Sequence, residues 1–184
     1  MKVGYFLFAG LVALAGCESR RESSSYVVAE KENDTKFDSR EAENEADFVA
    51  DAIQDRYAEI KFAELVSTKS SDKQIQDFAQ ELVNDQSKIL AQLQDLANER
   101  RITIPFEEGN AAKEKVNKLF EQDDADFDKK WCRELSSEHR KSIRKYERML
   151  DRTDDPALKT IIDQALMSLR TNLTKLEHFE NKGL

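Results

Sequence analysis

The sequence predicts an all-α protein built from four long amphipathic helices. Three observations carry that expectation. The 184 residues are 36% Asp, Glu, Lys and Arg, with only five Gly and two Pro, a makeup of long solvated helices with few breaks. Apolar residues recur at helical spacing in four separate stretches. The connections between those stretches are short, long and short, which restricts how the helices pair.

Taken in order, residues 1–17 read as an export signal. Lys2 gives a positive start, and the apolar run from Val3 to Ala15 is too short to span a bilayer. Leu14-Ala15-Gly16-Cys17 resembles the lipobox of bacterial lipoproteins, in which the Cys is acylated and becomes the new N-terminus. The lipid bilayer is then the first expected partner. At about 0.8 kcal/mol per buried CH₂, several acyl chains hold a domain to a leaflet without a spanning helix. Asp after the Cys is the usual inner-membrane retention signal, and Glu18 stands there. The expected address is therefore the periplasmic face of the outer membrane. Residues 18–44 offer little to bury beyond Tyr26-Val27-Val28 and Phe37, so they are expected to form a disordered polar tether with an r.m.s. reach of roughly 30 Å.

The folded domain is expected over 45–181. Helix one, 41–66, presents Phe48, Ala52, Ile53, Tyr57, Ile60 and Ala63 inward, and Ser67-Thr68-Lys69-Ser70 is a break. Ser71 and Gln74 read as a capping box opening helix two, whose seam is Ile75, Phe78, Ala79, Leu82, Ile89, Leu93 and Leu96, with Arg100 and Arg101 at its negative end. Ile102-Thr103-Ile104-Pro105-Phe106 is extended, and a short helix at 111–121 is anchored by Val116, Leu119 and Phe120. The acids at 123–126 suit the positive start of helix three. A calcium loop through Asp124, Asp126 and Asp128 fails, because Lys129 stands where the loop needs Gly and Leu135 where it needs Glu. Helix three carries Phe127, Trp131, Leu135, Ile143, Tyr146 and Leu150, its seam interrupted by His139. Asp155-Pro156 opens helix four, with Leu158, Ile162, Ala165, Leu169, Leu173, Leu176 and Phe179 inward.

Short first and third connections make each helix pair an antiparallel hairpin, and the long middle connection joins the two hairpins as a crossover. That is the arrangement of a ferritin-like four-helix bundle. From Asp47 onward the chain also resembles an uncharacterised family of exported ferritin-like bundles often labelled putative outer-membrane proteins. The pieces that carry the resemblance are Asp47-Phe48, Ala58-Glu59-Ile60, Phe78-Ala79 with Asp85, Ile104-Pro105, Phe127-Asp128 and His139. The resemblance implies a fold and an envelope address, with no settled activity. The chain departs from the family pattern where Asp-His becomes Asp85-Gln86, and where Leu-Pro followed by His becomes Leu169-Arg170 followed by Lys175. His178 lies three residues beyond that last position.

Helical arithmetic places Glu59, Gln86, His139, Asn172 and Lys175 on or beside the seams. Ferritin-like metal sites need Glu-x-x-His on two helices, and this chain has none; Glu138 and His139 are adjacent and diverge by about 100°. A buried carboxylate needs a partner. The expectation is a structural polar cluster in which Lys175 pairs with Glu59 or Asp85, and His139 and Gln86 complete the hydrogen bonds. A divalent-metal or stress-protective site from Glu59, Asp85 and His139 is the alternative. No catalytic residue, no resident metal and no cofactor is expected: Ser136, Ser137 and His139 cannot form a triad on one helix, and no phosphate loop or HExxH occurs. Cys132 beside Trp131 reads as a packed thiol. The net charge of −8 disfavours nucleic acid as a partner. Arg140, Lys141, Arg144, Lys145 and Arg148 form a basic stripe on helix three, a candidate contact for envelope proteins or anionic envelope groups. The expected role is that of a lipid-anchored, non-catalytic structural or interaction protein.

Overall fold

A computed structural model describes residues 25–181, which form six helices and no strand. Helix α1 spans Ser25–Lys36, α2 Arg40–Lys69, α3 Lys73–Arg100, α4 Asn110–Phe120, α5 Asp124–Leu150 and α6 Pro156–Asn181. No helix among the described residues is long and apolar enough to cross a membrane. The expected lipid-bearing Cys17 lies outside them.

Helix α1 corrects the expectation of a disordered tether through residue 44. It has little apolar surface, and polar docking fixes it instead. Asn33, fully buried, donates from Nδ2 to the Thr103 carbonyl (3.0 Å) and accepts the Thr103 N–H at Oδ1 (2.8 Å). Thr103 Oγ1 donates to Glu32 (2.9 Å) and accepts from Lys36. A side-chain amide bonded twice to one backbone unit replaces the hydrophobic contact that the composition lacks.

Helix α2 runs through the expected break at 67–69. Ser67 Oγ donates to the Glu64 carbonyl and Thr68 Oγ1 to the Leu65 carbonyl, both at 2.8 Å, which serves acceptors of the last turn. The next cap is Asp72, not Ser71: Asp72 Oδ1 accepts from Gln74 N (2.7 Å) and Ile75 N (3.3 Å). Asp155 caps α6 in the same way, accepting from Ala157 N (2.8 Å) and Leu158 N (3.3 Å), with Pro156 at the first turn as expected. Asp123 holds the N-cap position of α5 without a side-chain cap bond. Phe120, expected as an anchor of α4, is exposed.

Two apolar clusters fill the interior. One joins the first half of α2 (Phe48 to Ile53), the second half of α3 (Ile89 to Ala97), the end of α5 (Tyr146, Met149) and the first half of α6 (Leu158 to Leu169). The other joins the second half of α2, the first half of α3, the first half of α5 and Leu176 and Phe179 of α6. These memberships fix directions. Helices α3 and α5 run together, α2 and α6 run opposite to them, and each long helix meets its neighbours antiparallel. The connection from α3 to α5 must therefore travel the length of the molecule. It does so with Ile102 and Ile104 against the first cluster, and Val116 and Leu119 of α4 at the second.

Candidate functional site

Between the two apolar clusters lies a polar layer. The buried seams follow three-four spacing: Val49, Ala52, Arg56, Glu59, Ala63 and Val66 on α2, and Cys132, Leu135, His139, Ser142, Tyr146 and Met149 on α5. Gln86 interrupts α3 between Leu82 and Ile89, and Asn172 interrupts α6 between Leu169 and Leu176. Each long helix thus turns a polar residue inward near its middle. Arg56, Gln86 and His139 are fully buried, and Glu59 and Asn172 nearly so.

Arg56 organises the layer. Its Nη1 donates to Gln86 Oε1 at 2.7 Å and its Nη2 to Glu59 Oε1 at 3.0 Å, and its Cζ sits 5.6 Å from the centre of the Tyr146 ring. Burial by itself pulls the guanidinium pKa down, but Glu59, with smaller contributions from Tyr146, Asp55 and Asp51, outweighs this and the net direction is upward. The group stays charged. His139 moves the other way. Burial lowers its pKa most, Glu59 partly opposes that, and Arg56 adds to it. The ring is therefore neutral at pH 7. Among the described residues neither of its nitrogens makes a hydrogen bond of good geometry, although the Leu135 carbonyl one turn back favours protonation slightly. Arg56 Nε, Glu59 Oε2, Gln86 Nε2 and the Tyr146 hydroxyl also lack a partner among the described residues.

What this layer can do follows from its charges. A metal ion held by Glu59 and His139 would face the guanidinium. At 4 Å and an effective dielectric of 20, two unit charges repel by about 4 kcal/mol, and a divalent ion would meet roughly twice that. Arg56 is the cation of the site. The buried Cys132 thiol is pushed up to about 12, chiefly by burial, which keeps it protonated. A cavity of about 190 Å³ bordered by Glu59, Phe62, Leu135 and Ser142 opens between α2, α4 and α5.

Two expected members of the cluster are elsewhere. Asp85 is half-exposed and pairs with Lys88 at 3.4 Å. Lys175 is also half-exposed, bonds Glu81, and lies 5.4 Å over the Phe78 ring. Each stands one residue before a seam position (Gln86 and Leu176), and one residue turns a side chain by about 100°. Of the expected basic stripe, Arg140 pairs with Glu177 (2.7 Å), Lys141 with Glu138 (2.9 Å), and Lys145 turns inward to Asp51 (2.8 Å) and Asp55. Burial raises the Asp55 pKa while Lys145 opposes it. Arg144 and Arg148 make no ion pair among the described residues.

The only cluster of three potential metal-ligating groups found among the described residues is Asp34, Glu43 and Asp47, between α1 and α2. Asp47 is pushed up to about 6, first by burial and then by the surrounding carboxylates. It shares no residue with the polar layer.

An all-helical domain with a polar mid-layer organised by a buried arginine is the class these features define. The chain belongs to the family described as Domain of unknown function (DUF4142), matched over residues 31–179. That match takes in the second half of α1 and the long helices up to the last two residues of α6. No curated protein and no solved structure matches the chain.

Proposed function

We propose that this is a lipid-anchored envelope protein with a structural or interaction role, built as a ferritin-like four-helix bundle whose interior is not a catalytic centre. The observation that carries the reading is Arg56. A permanent cation fixed on Glu59 and Gln86 stands where a metal would be held in such a bundle. The parallel run of α3 and α5, with the crossover between them, supports the ferritin-like topology. The Leu14-Ala15-Gly16-Cys17 sequence supports acylation, and Glu18 supports an outer-membrane address facing the periplasm.

Thermal melting of the purified protein with Fe²⁺, Mn²⁺ or Zn²⁺ tests the non-catalytic interior. A ligand that binds only the folded state raises the melting temperature by mass action. The expected result is no rise with any of the three. A rise that is lost in Glu59→Gln and His139→Gln would establish the metal-binding alternative. Anchoring is read separately. Cys17→Ser should abolish fatty-acid labelling of the protein, and labelling that persists would refute acylation at Cys17.

A further inference from the structure

We propose that one end of the molecule docks on an anionic phospholipid leaflet through Arg144, Arg148 and Arg152, with α1 at the contact. The proposal rests on the lipid-anchored reading and gives the anchored domain a fixed orientation.

The first observation is the length of the leader. All six helices lie downstream of residue 24. Eight Cα steps separate Cys17 from Ser25, and at no more than about 3.6 Å each they span at most ~29 Å. The domain is held close to the bilayer that carries Cys17, instead of swinging on a long tether.

The second observation is which surface lies at that end. Tyr26, one residue inside α1, borders a groove with Arg148 and Arg152, so the start of α1 sits against the end of α5. Arg144, Arg148 and Arg152 are spaced by four along α5 and its C-terminal turn. All three are exposed, and none makes an ion pair among the described residues. The other cations of this half of the helix, Arg140, Lys141 and Lys145, are all paired. The groove also holds Asp47 and Asp51; Asp51 is tied to Lys145, and Asp47 has its pKa raised to about 6. Val27 and Val28, which follow Tyr26 on the first turn of α1, are about half exposed, apolar side chains suited to the headgroup boundary.

The third observation is charge. With a net charge of −8, the protein as a whole is repelled by an anionic leaflet, so a local cluster of unpaired guanidiniums selects one orientation. Guanidiniums bind phosphate oxygens through paired N–H donors. Each basic residue near such a surface contributes roughly fivefold in binding.

The test uses the chain from Glu18 to Leu184, which keeps every described contact and removes the acyl anchor. It is sedimented with phosphatidylcholine vesicles, with and without phosphatidylglycerol, at low and high salt. Binding is expected only with phosphatidylglycerol, weakening as salt screens the charges. Arg144→Glu, Arg148→Glu and Arg152→Glu together should reduce it at least tenfold at an unchanged melting temperature, and Arg133→Glu, elsewhere on α5, should change it little. Equal sedimentation of the triple variant and the parent, or no binding to phosphatidylglycerol, would overturn the proposal. Because this chain lacks Cys17, failure here leaves the acylation result untouched, and failure of acylation leaves this measurement readable.

Discussion

Arg56 and Glu59 show how a charged pair is tolerated in the interior of a helical protein. The guanidinium gives two of its N–H groups to Glu59 and Gln86 and places its face toward Tyr146. His139 beside them is kept neutral by burial, because its protonation would add a second positive charge to a layer with one compensating carboxylate. This sets a pH dependence. The His139 pKa is lower in the folded chain than the ordinary 6.5 of the unfolded chain, so the unfolded state binds more protons below that pH. The contribution to stability is complete above pH 6.5 and is lost as the pH falls toward the folded value, by up to about 1.4 kcal/mol per pH unit. Asp47, raised to about 6, acts in the opposite sense, since the folded state takes up a proton first and acid relieves it. Denaturant unfolding between pH 7.5 and 5 should show the parent losing stability on acidification more steeply than His139→Gln. Parallel curves for the two proteins would refute a neutral buried histidine.

At the scale of helices, the seams are legible in the sequence because apolar side chains at three-four spacing have no other use in so polar a chain. Every long helix stands within a few residues of its expected ends. The departures have physical causes. Helix α1 is held by Asn33 on the Thr103 backbone, seventy residues away, a contact that composition and periodicity cannot register. Arg56 sits four after Ala52 and three before Glu59, so its seam position is visible in the spacing. An arginine in so charged a helix nonetheless reads as a solvated residue whose head reaches water. Asp85, expected as a partner of Lys175, and Lys175 itself, expected beside the seam, each stand one residue out of phase with a buried position. The cap of α3 departs for a similar reason, because Ser71 and Asp72 both have capping side chains and only the local backbone chooses between them. That choice is testable. Asp72→Ala should destabilise the protein by about 1 kcal/mol, within a range of about 0.5–2, while exposed Ser71→Ala should stay within about 0.5 kcal/mol of the parent. Equal losses, read from chemical denaturation midpoints, would restore the capping-box reading.

At the scale of the whole molecule, the polar layer divides the interior into two apolar halves, each drawing residues from all four long helices. Shifting any one helix by a turn would put Arg56, Gln86, His139 or Asn172 against hydrocarbon and leave its partners unpaired, at several kcal/mol for a buried charge. The layer therefore specifies how four otherwise similar helices align, as single buried polar residues do in coiled coils. It also accounts for the weak legibility of function. The residues that look most like a site are the ones that fix the fold, while Arg144 and Arg148, without an ion pair among the described residues, stand on the outer face of α5.

The central claim, that Arg56 and Glu59 act as one structural pair, is tested most directly by a double-mutant cycle in thermal and denaturant unfolding. Arg56→Met and Glu59→Met should each cost about 3–5 kcal/mol, because each strands a buried charge. The double variant should be more stable than either single variant, since no uncompensated charge remains. Additive losses, with the double variant the least stable of the three, would contradict the account.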